Sequence, residues 1–240
     1  MADPLEALWD RIPVRQQVSR RPSLTLSYAQ SLDGSIATHD QRALPLSSAE
    51  ALEVTHQLRA AHEAVLVGIG TVLADNPRLT VRLDLAQAGQ QPQPVVLDTH
   101  LRLPLDCALL QHPRPPILAT TGGANRQRRQ ELEAAGARVL DLPSNPEGLV
   151  DMAALMDRLG QLGIGSLMAE GGARVITALL QARLADGVVL TLAHVFAGGL
   201  HAVGELGYRR LAQMPRLVDP QTARVGADLL IWGELAWPEG

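Results

Sequence analysis

The chain has 240 residues, 46% of them hydrophobic, and a formal net charge of -4. That length supports one sizeable core or two small ones, and the scattered Lys and Arg leave no electrostatic footprint for nucleic acid or an anionic membrane surface. A single cysteine, Cys107, excludes an internal disulfide framework and a multi-cysteine metal site, and three Trp, two Tyr and one Phe are too few for a base-stacking platform.

Residues 1 to 21 read as an appendage. Leu5, Leu8, Trp9 and Ile12 fall at helical spacing, which predicts one or two turns packed on the main body or on a partner subunit. The opening MADPLEALWD is acidic where a signal peptide would be basic. The longest nearly apolar run, Ala64 to Ala74, falls short of the roughly 18 residues of a membrane span. The cytoplasm is the expected compartment. From 22 to 240 a single domain is expected. Ser23 to Ala29 alternates as a strand does and runs into the turn signal Asp33-Gly34. Ser47 to His62 predicts a helix capped by Ser47 or Ser48. Arg59 on that helix either points toward the following glycine turn or is a solvated helix-end residue.

The stretch Ala64 to Arg82 combines a buried strand (Ala64 to Val67), the turn Gly68-Ile69-Gly70, and a short helix that Thr71 is placed to cap. Asp75 and Asn76 close it, and Pro77 is expected to hold Asn76 extended. Strand, glycine turn, helical turn and trailing Arg82 suit a phosphorylated ligand, although the same residues also make an ordinary strand-to-helix connection. A Gln-rich surface loop from Ala86 to Pro94 leads to strands at Val95 to Asp98 and Pro116 to Thr120. A helix from Asn125 to Ala135 ends at Gly136, a strand follows from Arg138 to Leu142, and Asp151 caps a helix running to Gly163. The strand Ser166 to Ala169 then opens into Glu170-Gly171-Gly172-Ala173-Arg174 and a helix to about Leu184. Free amides at that glycine-rich start suit phosphate. Glu170 beside them reads either as a contact to another part of the ligand or as a dipole-stabilised helix-start residue. A long strand, Asp186 to Phe196, and a hairpin or edge strand around Gly226-Ala227-Asp228 complete the pattern. Strands alternate with helices to about residue 184 and strands alone follow, which predicts a mostly parallel sheet with antiparallel C-terminal strands.

Several constellations are missing from the sequence: H-x-E with P-C-x-x-C, H-E-x-x-H, G-x-S-x-G and G-x-x-x-x-G-K-[ST]. The seven histidines are dispersed, and His56, His62 and His194 read as structural or exposed. No metal site is expected. Two phosphate turns without a nucleophile or metal point to a nucleotide cofactor that carries the chemistry.

Five motifs in order then carry a family resemblance. They are Ala29-Gln30-Ser31-Leu32-Asp33-Gly34-Ser35-Ile36-Ala37, Leu58-Arg59-Ala60, Val67 to Arg82, Val96-Leu97-Asp98-Thr99 and Glu170-Gly171-Gly172-Ala173. Over about residues 22 to 235 the chain resembles the reductase domain of the riboflavin-biosynthesis deaminase-reductases. The resemblance implies a dihydrofolate-reductase-like α/β fold in three layers, with helices on both faces of the sheet. It also implies an NADPH-dependent reductase that converts a ribosylamino-pyrimidine 5′-phosphate to its ribitylamino form. Ala29, Thr71, Asp75, Thr99 and the helix start at Gly171, Gly172, Ala173, Arg174 and Val175 would hold the cofactor, with Gly68 and Gly70 in the first turn. Arg59, Leu79, Arg82 and Glu170 would hold the substrate, and Asp33 and Glu170 are the candidate catalytic residues. A cytoplasmic homodimer with no nucleic-acid or membrane partner is implied. The chain departs from the family's pattern at Ser27, where a Lys is usual, and at Ala43-Leu44-Pro45, where Ser-x-Trp is common. It also lacks the deaminase half, so a separate protein would supply that step or the reduction would precede it. Two other readings compete: a reductase of a pterin or other heterocycle, and a non-catalytic partner protein that keeps the cofactor.

Overall fold

A computed structural model of the chain describes Leu8, residues 20–82 and residues 91–238. The expected Pro4 to Ile12 helix lies outside the described residues except for Leu8, which is helical and fully buried. Part of the Ala86 to Pro94 loop also lies outside them.

Eleven strands and five α-helices are described: β1 (Ser23–Gln30), β2 (Ser35–Ala37), α1 (Ala49–Ala61), β3 (Ala64–Gly68), α2 (Ile69–Asp75), β4 (Gln93–Leu97), β5 (Ile117–Thr121), α3 (Arg126–Ala134), β6 (Arg138–Leu142), α4 (Met152–Gln161), β7 (Ser166–Ala169), α5 (Ala173–Gln181), β8 (Gly187–Leu192), β9 (Leu200–His201), β10 (Arg216–Val225) and β11 (Asp228–Ala236). Nine strands form one sheet in the order β10-β11-β8-β1-β7-β3-β4-β5-β6. Strands β8, β1, β7, β3, β4, β5 and β6 run parallel, whereas β11 and β10 are antiparallel additions at one edge. The apolar runs of β1, β3, β4 and β7 are buried on both faces, as central parallel strands require. On one face Val65, Val67, Met168 and Trp232 pack with Val54 and Leu58 of α1 and Leu132 of α3. On the other, Leu24, Leu26 and Leu66 pack with Leu155 and Leu159 of α4 and Ile176 and Leu179 of α5. The three expected layers are present. Among the described residues no helix is long and apolar enough to cross a membrane.

The helix caps follow from the sequence. Ser48, Asn125 and Asp151 accept from the amides of Ala51, Arg128 and Ala154. Other expectations are corrected. Thr71 does not cap α2: the helix starts at Ile69 after Gly68, and Thr71 lies inside its first turn. Asn76 is left-handed (φ 43°, ψ 52°), not extended. Asn tolerates that conformation at a helix end, and its side chain there accepts from the Ala108 amide at 2.8 Å. The helix expected from Glu170 to Leu184 is shorter, with Gly172 as its N-cap. The long strand expected from Asp186 to Phe196 stops at Leu192, where Val195 N turns back onto Ala193 O; beyond Phe196, Asp33 takes the amides of Ala197 and Gly198.

Three histidines, His62, His56 and His112, are buried and held by that burial below the ordinary histidine pKa. His62 links α1 to β1: its ring nitrogens lie 2.7 Å from Leu58 O and 3.0 Å from Thr25 Oγ1. The folded state therefore binds fewer protons than the unfolded chain as pH falls below about 6.5. Stability is complete above that pH and declines down to the folded pKa values, where the loss levels off. The urea midpoint is expected to fall between pH 7.5 and 5.5, and His62→Gln is expected to flatten that decline.

Candidate active site

Parallel strands end on one side of a sheet, where open α/β folds bind ligands. Here that edge collects the ends of β1, β7, β3 and β4, followed by Gln30, Glu170, the Gly68 turn and Asp98-Thr99.

The two glycine turns abut. A Cβ on Gly68 would stand 2.9 Å from Val175 Cγ2, and one on Gly172 would stand 3.2 Å from Thr71 Oγ1. Gly171 and Gly172 both have positive φ (115° and 87°), which brings the backbone round into α5. The first amides of α5, from Ala173 and Arg174, have no intrahelical acceptor, as at any helix start. Thr71 and Asp75 stand one turn apart on the same face of α2. Asp75 is exposed at that helix end, and partial burial raises its pKa. Gly70 is exposed with open space where a Cβ would be, so packing does not demand glycine there. Thr99 is fixed through its carbonyl, which accepts from Thr120 Oγ1 at 2.8 Å.

Ala29 enters through its backbone. Strand β1 pairs with β8 as far as Gln30 but with β7 only as far as Leu26, opposite Ala169. Ser23 N donates toward β7, to Gly165 O, whereas Gln30 O accepts from β8's side, from Ala193 N. By the alternation of a strand, Ala29 turns its N–H and C=O to the side where β7 has already ended.

The substrate-side candidates also converge. Glu170 receives Arg59 in a bidentate pair: Nε donates to Oε1, and Nη2 donates to Oε2 at 2.6 Å. Both side chains are largely buried, at 12% and 11% exposure. Arg59 Nη1 donates to Thr80 O at 3.0 Å. The alternative of a solvated helix-end Arg59 is therefore corrected, and so is a Glu170 that merely complements a helix dipole. Leu79 has left-handed backbone (φ 52°) and a buried side chain, so only its main chain remains for a ligand. Arg82 is exposed, and its amide donates to His56 Nδ1 at 3.4 Å. His56, expected to be structural or exposed, is buried and structural; it stands three residues before Arg59 on α1.

Asp33 behaves differently from a proton carrier. Its carboxylate accepts from Ser31 Oγ (2.7 Å), Ser35 Oγ (2.8 Å), Ala197 N (2.8 Å) and Gly198 N (2.8 Å). These donors, led by Ser31, hold it well below the usual carboxylate range, so it has no proton to give near neutral pH. Its geometry clamps the β1–β2 turn to the segment after β8. Asp33→Ala is expected to speed hydrogen exchange at Ala197 and Gly198 by tenfold or more, since each of those amides loses its acceptor. Unchanged protection would show that the clamp is dispensable.

The RibD C-terminal domain model matches residues 22–231. The chain is 34% identical to the 2,5-diamino-6-ribosylamino-4(3H)-pyrimidinone 5′-phosphate reductase of Methanothermobacter thermautotrophicus, over 88% of this chain and 97% of that protein. It is 32% identical to the riboflavin biosynthesis protein RibD of Aquifex aeolicus, over 88% of this chain and 57% of that protein. The chain thus spans little more than half of the RibD relatives. Among solved structures, Acinetobacter baumannii RibD matches with a TM-score of 0.78 at 27% identity, covering 91% of this chain and 59% of that one. The Saccharomyces cerevisiae riboflavin biosynthesis reductase Rib7 matches with a TM-score of 0.69 at 28% identity, covering 92% of this chain and 93% of that one. With the family model spanning most of the chain and the glycine turns and Arg59–Glu170 pair at one sheet edge, this chain belongs to the RibD C-terminal domain family.

Proposed function

We propose that this chain is an NADPH-dependent reductase that converts a ribosylamino-pyrimidine 5′-phosphate to its ribitylamino form in riboflavin biosynthesis. The observation that carries the reading is the placement of a buried, bidentate Arg59–Glu170 pair beside two abutting glycine turns on one sheet edge. A phosphate-bearing cofactor fits those turns. Gly171-Gly172 and the free amides of Ala173 and Arg174 would hold its diphosphate, with Thr71 alongside and Asp75 and Thr99 flanking. The unpaired N–H and C=O of Ala29 match a carboxamide, which offers one acceptor and two donors. When bound, NADPH supplies the hydride.

The chain's own residues bind and orient. Glu170 faces the heterocycle's donors, and Arg59 fixes that carboxylate in position. Arg82 is an exposed cation available to the 5′-phosphate, and His56 holds the Arg82 backbone. Asp33 keeps the rim of the site stiff. The overall reaction consumes two electrons as hydride and one proton, and the C1′–oxygen ring linkage of the ribosyl group opens to leave a CH2 at C1′. Positioning supplies most of the rate in such an arrangement.

The test is NADPH oxidation by the purified chain with the deaminated uracil phosphate and, separately, the diaminopyrimidinone phosphate. Turnover of at least one, at about 1 per second or faster, is expected. Failure of both would overturn the reading.

A further inference from the structure

Residues 80 to 82 follow α2 in neither a helix nor a strand, yet three side chains hold their main chain. Arg59 Nη1 donates to Thr80 O at 3.0 Å. Gln91 takes both groups of Val81: its Oε1 accepts from Val81 N at 2.7 Å, and its Nε2 donates to Val81 O at 3.3 Å. His56 Nδ1 accepts from Arg82 N at 3.4 Å. Leu79 and Val81 bury their side chains, and Arg82 is left exposed at the end of the run. Packing and these bonds together fix the point from which the Arg82 guanidinium reaches out.

The His56 bond differs from the other two because it depends on protonation. A backbone N–H can only donate, so the Nδ1 that faces Arg82 must carry a lone pair, and the neutral ring keeps its proton on Nε2. An imidazolium would turn a second donor toward that amide. It would also add a positive charge among groups that are already cationic. The ring faces the Arg59 guanidinium on its own helix, the Arg82 guanidinium on the segment it holds and the Glu170 carboxylate after β7, with the Thr80 carbonyl alongside. Glu170 and the Thr80 carbonyl favour the charged ring, but Glu170 is already paired with Arg59 through two donors. His56 is only 7% exposed, and burial, followed by the Arg59 and Arg82 charges, holds its pKa below the ordinary histidine value.

We infer that His56 is a positioning residue for the substrate's phosphate: its neutral ring seats Arg82, and protonation of the ring unseats it. This role rests on the reductase reading above, in which Arg82 meets the 5′-phosphate. Seating requires the unprotonated ring, so the phosphorylated substrate binds best above the His56 pKa and progressively more weakly as pH falls through it. A ring that served instead as a further cation for the phosphate would give the opposite sign, with tighter binding in acid.

The test compares the full chain with His56→Asn, His56→Phe and Gln91→Ala. It measures kcat and KM from pH 8 to 5 for whichever pyrimidine phosphate is turned over, and amide hydrogen exchange at Arg82 without ligand. An asparagine side-chain oxygen can accept in place of Nδ1 but does not titrate. The ratio of wild-type KM to that of the asparagine variant is expected to rise by about threefold or more from pH 8 to 5, with little change in the ratio of kcat values. The substrate phosphate's own second ionisation, at about pH 6, is common to both chains and cancels in the ratio. His56→Phe is expected to raise KM by about fivefold at pH 8 and to speed exchange at Arg82 by a similar factor, with protection restored in His56→Asn. Gln91→Ala is expected to raise KM by a similar factor at every pH while keeping the wild-type pH dependence, because Gln91 holds the same segment without titrating. The comparison of wild type with the asparagine variant decides the matter even if the phenylalanine variant does not fold. A KM ratio that stays flat or falls in acid, or Arg82 exchange that is unaltered in a folded His56→Phe, overturns this inference and leaves the reductase reading standing. A wild-type chain that turns over neither pyrimidine phosphate at any pH overturns the reductase reading and this role with it.

Discussion

Arg59→Met is expected to destabilise the protein by about 3–5 kcal/mol, because it leaves the Glu170 carboxylate nearly buried and unpaired. It should also lower kcat/KM by about 100-fold or more, since the carboxylate loses the fork that orients it. The two effects separate in a double variant. Replacing a buried pair with apolar residues of similar volume is often neutral or stabilising. Arg59→Met with Glu170→Leu is therefore expected to recover most of the stability in urea unfolding while staying inactive. Recovery of activity along with stability would mean that the pair merely holds α1 onto β7. Thr80 O, which also loses a donor from Nη1, is why recovery is expected to be incomplete.

Gly172→Ala is expected to weaken NADPH binding by about 10- to 100-fold, equivalent to one or two lost charge-assisted hydrogen bonds. Two causes act together. The backbone φ of 87° is strained for any side chain, and the added Cβ would press on Thr71 Oγ1 at 3.2 Å. Relief requires α2 and α5 to shift apart, and that shift moves the α5 amides. The stability loss is expected to be about 1–3 kcal/mol. Gly123→Ala in the β5–α3 turn is the control, because its Cβ would meet nothing within 4 Å and its φ is unexceptional. Gly70→Ala separates packing from ligand approach. Alanine at Gly70, in the first turn of α2, favours the helix by at most about 0.5–1 kcal/mol, so a protein at least as stable with weaker NADPH binding would place the ligand against Gly70. Equilibrium binding monitored by NADPH fluorescence, with melting temperatures alongside, checks all three.

Much of this architecture was legible because its signals are local. Short apolar runs marked β3, β4 and β7, with glycines next to β3 and β7, and the caps Ser48, Asn125 and Asp151 marked helix starts. The glycine turns at Gly68 and Gly172 were readable for the same reason. Their juxtaposition was not, because it depends on β3 and β7 becoming sheet neighbours despite their separation in sequence. The Arg59–Glu170 pair joins residues 111 positions apart, and the Asp33 clamp reaches 164 positions to Ala197. No periodicity encodes such partners, so Arg59 stayed ambiguous and Asp33 stood as a candidate catalytic residue. The strand expected to run to Phe196 ends early: local β propensity continues past Leu192, but Val195 N turns back onto Ala193 O, and just beyond Phe196 the chain is held by Asp33 through the amides of Ala197 and Gly198. Ala29 shows the converse. Its role lies in backbone groups left without a strand partner, which a side-chain reading of an alanine does not reveal.

The central claim is that this sheet edge holds a hydride donor against C1′ of a ribosylamino pyrimidine. The most direct measurement is transfer of label from NADPH deuterated at C4 of the nicotinamide, in each stereochemical form, with the ribityl product examined by NMR. One of the two forms is expected to place a single deuterium at C1′ of the ribitylamino product, and the other to place none. Product formed without deuterium from either form, or no reduced product at all, would contradict the account.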